Sequence, residues 1–185
     1  TTQAKALTSA QIASLSASQM AALGTDDLAV FSSLQIRAFT TSQIGNLSTS
    51  QVLALTTSQA SALTTGQLAK FSAAQITAMG TDDVAALSSS QITSLSTSQI
   101  AALSTAQVAA MTSNQVGGLS TTQISQMSTA QIAALNTSSF ARLSTSQIAA
   151  LTTSQVAGLS ASQVLALTTI QAKSLSTSQI ASLST

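Results

Sequence analysis

Leu143-Ser144-Thr145-Ser146-Gln147-Ile148-Ala149-Ala150 is one copy of an eight-residue unit that runs without insertion through the whole 185-residue chain. Every eighth residue from Leu7 to Leu183 is large and apolar: 23 positions, all Leu except Phe31, Phe39, Phe71, Met79, Met111 and Met127. The next residue is Ser or Thr in 20 of the 23 octads, from Thr8 to Ser184, and the exceptions are Gly24, Gly80 and Asn136. Three residues further on stands Gln, from Gln3 to Gln179, replaced only at Asp27, Asp83 and Ser139. The residue after it is Ile, Val, Leu, Met, Phe or Ala throughout. A fixed period of this kind defines a repeat protein.

The order apolar, Ser/Thr, x, x, Gln, apolar spells a capping box inside a hydrophobic staple. In the quoted octad, Ser144 is the N-cap and Gln147 reaches back to the cap N–H. Leu143 and Ile148 close over the turn. Ala149 and Ala150 extend the helix until Leu151, and Thr152 caps the next one. So short a helix cannot stand alone, because isolated helices below about 12 residues are marginal, and its stability has to come from neighbours.

One continuous helix is excluded by arithmetic. Eight residues at about 100° each turn through about 800°, so an apolar stripe would drift by about 80° per octad. Coiled-coil heptads are absent. A β-solenoid is the alternative, since Ser, Thr, Ile and Val suit strands. Against it, the two strongest apolar positions lie five apart, which puts them on opposite faces of a strand. Turn residues are also scarce, with no Pro and seven Gly. The sequence therefore predicts an all-α, tightly wound solenoid of one- to two-turn helices, one per octad. It predicts a single repeat domain, 1–185, without a linker, in which each octad touches near neighbours. The two apolar positions form the core, with Phe and Met as core variation. The outer surface is expected to be Ser, Thr, Ala and Gln.

A longer period overlies the octads. Gly24-Thr25-Asp26-Asp27, Gly80-Thr81-Asp82-Asp83 and Asn136-Thr137-Ser138-Ser139 follow one another at 56 residues, or seven octads. Carboxylates in the first turn of a helix complement its dipole, and Asp can stand in for Gln. A cation held between paired carboxylates is the competing reading of Asp26/Asp27 and Asp82/Asp83. The sequons at Asn46 and Asn136 read as accidents of a Ser-rich chain.

Composition narrows the function. Lys5, Arg37, Lys70, Arg142 and Lys173 face four Asp, for a net charge of +1. There is no basic patch and no Trp or Tyr to stack bases, so nucleic acid is not an expected partner. No apolar run reaches the length of a membrane span. Without His, Cys, Tyr or Glu, the many Ser and Thr have no general base beside them, and no enzyme, cofactor or metal site is expected. The chain opens and closes inside an octad, at Thr1 and Thr185, which suggests a piece of a longer array or a processed subunit that is capped by something else.

Two resemblances follow. Leu103-Ser104-Thr105-Ala106-Gln107-Val108-Ala109-Ala110 resembles the opening of the first helix in TAL-effector repeats, without their second helix or base-reading loop. Across its length the chain is similar to octapeptide arrays of large bacterial secreted or surface exoproteins, often labelled adhesin-like. That resemblance implies a class, cell-surface or extracellular, and no specific activity. The uniform array itself reads as a structural spacer, stalk or filament subunit, and its uncapped terminal repeats with little net charge are expected to join end to end into a homo-oligomer or filament. The alternative is a binding module whose Ser/Thr rows recognise a surface polysaccharide or ice.

Overall fold

The computed structural model describes residues 2–183; Thr1, Thr185 and the proposed cap Ser184 lie outside the described residues. Within them the chain is all helix, α1 to α23, from α1 (Thr2–Ala6) to α23 (Thr177–Ser182), one helix to each octad and four to six residues long. No strand occurs among the described residues, so the β-solenoid is not the fold.

Outside the octads of Gly24, Gly80 and Asn136, the helices from α2 onward start as the capping box requires. Ser144 sits in the β region at φ −69°, ψ 162°, and its hydroxyl accepts from the Gln147 N–H at 3.2 Å. The Gln147 Oε1 accepts from the Ser144 N–H at 2.7 Å. The same reciprocal pair recurs at Thr8/Gln11, Ser104/Gln107 and Ser176/Gln179. The helix ends when the next apolar residue turns its N–H to a carbonyl three back, as Leu151 does to Ile148 at 3.2 Å. That residue and the following cap are extended or nearly so, and no described residue has a positive φ. The turns therefore need neither Gly nor Pro, which explains how an array of such tight corners is built almost without them.

The chain divides into two compact units, Thr1–Leu95 and Ser96–Thr185. The octad register passes through Leu95-Ser96 as an ordinary apolar residue and cap. In each unit a helix packs on the helix three octads away: α2 (Ser9–Ala13) on α5 (Ser33–Ala38), and α5 on α8 (Thr57–Ala62), in the first; α17 (Thr129–Ala134) on α20 (Thr153–Ala157), and α20 on α23, in the second.

The core is the pair of apolar columns. Ile36, Ile76, Ile132 and Ile148 are sealed from solvent, as is Phe140, and the Leu column beside them is buried as well. Phe31 and Phe39, from consecutive octads, meet edge to face with centroids 5.4 Å apart. Burying such side chains supplies roughly 1.5–3 kcal/mol each, the gain a five-residue helix lacks by itself. Leu7, Leu15 and Leu23 at one end, and Leu159, Leu167, Leu175 and Leu183 at the other, are only half-buried.

The surface corrects one expectation. Ser, Thr and Ala do face outward, but Gln does not: from Gln35 to Gln179 every Gln of the register is buried, and Gln147 is only 3 % exposed.

Candidate functional surface

The buried Gln is the residue that winds the solenoid. Its Oε1 serves the capping box of its own helix, and its Nε2 crosses to the turn below. Gln147 Nε2 donates to the Leu119 carbonyl at 2.7 Å, 28 residues earlier, and to the Val116 carbonyl at 3.2 Å, 31 residues earlier. In the N-terminal unit Gln35, Gln43, Gln59 and Gln67 do the same, reaching Leu7, Leu15, Phe31 and Phe39 at 2.7–2.8 Å. In the C-terminal unit Gln155, Gln163, Gln171 and Gln179 reach Met127, Leu135, Leu143 and Leu151 at 2.6–3.0 Å. The acceptors are carbonyls at the C-terminal end of a helix, which have no partner inside it. One side chain thus closes the start of its own helix and the end of another.

The constant step of 28 residues is the reach of the Gln side chain from the start of one helix to the end of a helix in the turn below, while the helices themselves pack three octads apart. The chemistry also selects Gln over Glu: a carboxylate could cap the helix but has no N–H for the carbonyls below.

The three exceptional octads modify this rung in two ways. In α11 (Thr81–Ala86), Asp83 is buried and its Oδ2 accepts from the Gly80 N–H at 3.1 Å. The short side chain must fold tightly over the cap to reach. A Cβ at residue 80 would stand 3.0 Å from that oxygen, and at residue 24 it would stand 3.4 Å from Asp27 Oδ2. Gly at the cap and Asp at N3 therefore change together. In α18 (Thr137–Ala141) the Asn136 Oδ1 caps the helix, accepting from the Ser139 N–H at 2.8 Å and the Ser138 hydroxyl at 2.7 Å. Ser139 is too short to reach back to the cap; its hydroxyl lies 3.5 Å from the Met111 carbonyl and 3.3 Å from the Ser113 hydroxyl.

The Asp pairs do not assemble into a cage. Asp26 and Asp82 are exposed, Asp27 half-buried and Asp83 buried, and among the described residues no three acidic, His or Cys side chains come together. Asp27 lines a cavity of about 250 Å³ whose other walls include Ala4, Leu7 and Leu23. Lys5, Arg37, Lys70, Arg142 and Lys173 are all exposed, as their isolation in the sequence suggested. Asn46 is exposed, whereas the Asn136 amide is engaged as a cap. Among the described residues no helix is long and apolar enough to cross a membrane.

The Ser/Thr/Ala surface is interrupted by the exposed side chains of Leu34, Leu53, Leu165, Ile170 and Ile180, and by one polar recess. A polar cleft of about 610 Å³ lies between α15 (Ser113–Gly118) and α18, lined by Ser113, Asn114, Gly117, Gly118, Ala141 and Arg142. Nothing in the octad pattern marks it.

With the rung defined, the comparison with known families can be read in structural terms. A model of the ALTTAQ repeat matches residues 20–57, 60–97, 91–121 and 139–169, more than half of the chain. The chain belongs to the ALTTAQ repeat family. The six residues of that name run here as Ala150-Leu151-Thr152-Thr153-Ser154-Gln155: the end of one helix, the buried Leu, the cap, two exposed positions and the bridging Gln. No curated protein matches the chain.

Proposed function

We propose that this ALTTAQ array is a structural element: an extracellular spacer, stalk or filament segment of a bacterial surface exoprotein, associating end to end. The observation that carries this reading is the Gln rung. Each one ties its octad to the turn below through neutral amide hydrogen bonds, beside a sealed aliphatic column. None of these bonds needs a titrating or redox-active group, so the structure suits an environment of variable pH and oxidation state. Repetition fits the role as well, because stability in a solenoid is the sum of octads and their neighbour contacts. The Ser/Thr/Ala exterior is neutral and resists nonspecific capture by charged surfaces.

Single-molecule pulling between the chain ends tests the proposal. A spacer gives a reproducible staircase of similar unfolding steps at similar forces. Extension indistinguishable from that of an unfolded polypeptide would remove the mechanical role.

A further inference from the structure

We propose that the cleft between α15 and α18 binds a carboxylated saccharide, a site that goes beyond the spacer reading and does not depend on it. Residues far apart in sequence and unlike their counterparts in other octads meet there. Asn114 lies in α15 and Arg142 ends α18, two helices that pack on each other three octads apart, so the amide and the guanidinium come from successive turns. Ser113 and Ala141 come from the same two helices. The Ser113 hydroxyl is linked in turn to Ser139, the one position where the bridging Gln is replaced by a hydroxyl side chain.

The cleft is also held open against local preference. Gly117-Gly118 is the only Gly pair in the chain, and it ends a six-residue helix where Ala would be favoured. Packing does not demand Gly at 117, where an added Cβ would meet only the Arg142 carbonyl, at an ordinary 3.7 Å. The missing methyl leaves space where a neighbouring octad carries Ala109-Ala110.

The chemistry indicates the ligand. Arg142 and Lys173 are the only basic residues from 96 to 185, and that stretch has no Asp or Glu, so the C-terminal unit has no side-chain carboxylate of its own to neutralise Arg142. A guanidinium offers paired N–H groups that match a carboxylate. Asn114 adds both a donor and an acceptor, and Ser113 a hydroxyl, which suits the ring hydroxyls of a sugar. The volume falls within the roughly 300–1,000 Å³ usual for small-ligand sites.

The test is a titration of the ¹⁵N-labelled chain with trigalacturonic acid, with maltotriose and sodium sulfate in parallel. Saturable shifts of the Asn114, Gly117 and Gly118 amides with trigalacturonate alone are expected. Arg142→Gln should weaken binding by about tenfold or more, the loss of a paired charged contact, while Lys173→Gln leaves it unchanged. Gly117→Ala, which the backbone accommodates, should weaken binding by filling the cleft, with the circular dichroism spectrum unaltered. Absence of saturable shifts, equal shifts in Arg142→Gln, or the same response to maltotriose or sulfate would overturn the proposal.

Discussion

Gln11 and Gln147 form the same capping box and live in different surroundings. Each accepts from its cap N–H, from Thr8 at 2.8 Å and from Ser144 at 2.7 Å. Gln147 is buried and spends its amide N–H groups on carbonyls one turn below, whereas Gln11 is exposed and donates to no carbonyl of the described residues. The difference separates two jobs that one residue type performs. Capping is local and stabilises each helix start; bridging is long-range and stabilises the winding.

The largest expected effect breaks the bridge and the box together. Gln147→Met leaves the Ser144 N–H and the Leu119 and Val116 carbonyls without their side-chain partner, at a cost of about 2–4 kcal/mol from unsatisfied buried groups. Gln11→Met, with only the box to lose, should cost about 1 kcal/mol. Urea unfolding of the two variants measures both. A similar loss at the two sites would show that the bridge contributes nothing.

The caps should behave in the opposite manner. Thr8→Ala and Ser144→Ala each remove the same local bond and should each cost about 0.5–2 kcal/mol, despite their different surroundings. Thermal melts check this, and a cost confined to Ser144 would mean that capping too depends on the stack.

A smaller effect of opposite sign is expected at Asp83. Asp83→Gln supplies an amide for the carbonyls of Val52 and Leu55, 31 and 28 residues earlier, and should raise stability by about 1 kcal/mol. The gain is read as a shift in the urea midpoint. Smallest of all, Thr145→Ala at the exposed first helical position should stay within about 0.5 kcal/mol.

These contrasts also mark what the sequence makes legible. Ser144 and Gln147 lie three residues apart, so the box follows from one octad alone, and with it the helix start and the buried Leu and Ile columns. The bridge does not, because it depends on how many octads close a turn, and nothing within eight residues fixes that. That is why Gln reads as a surface residue by composition and proves to be buried. The cleft was hidden for the same reason: Asn114 and Arg142 look unrelated until the packing of α15 on α18 brings them to one cleft. The division at Leu95-Ser96 has no sequence counterpart, both residues being typical of their positions.

The central claim, that Gln is required as a donor between turns as well as an acceptor within its helix, is tested most directly by an isosteric exchange at the two compared sites. Gln147→Glu keeps the size and the capping oxygen but sets a buried carboxylate against the Leu119 and Val116 carbonyls. The account predicts a loss of about 3–5 kcal/mol at neutral pH, the scale of an uncompensated buried charge. Burial and the facing carbonyls raise the folded-state pKa of the new Glu, so this penalty should shrink as pH falls toward about 4, where the protonated acid can donate. Gln11→Glu, exposed and still able to cap, should change stability by less than about 0.5 kcal/mol. Equal stability of Gln147→Glu and the parent at neutral pH would contradict the account.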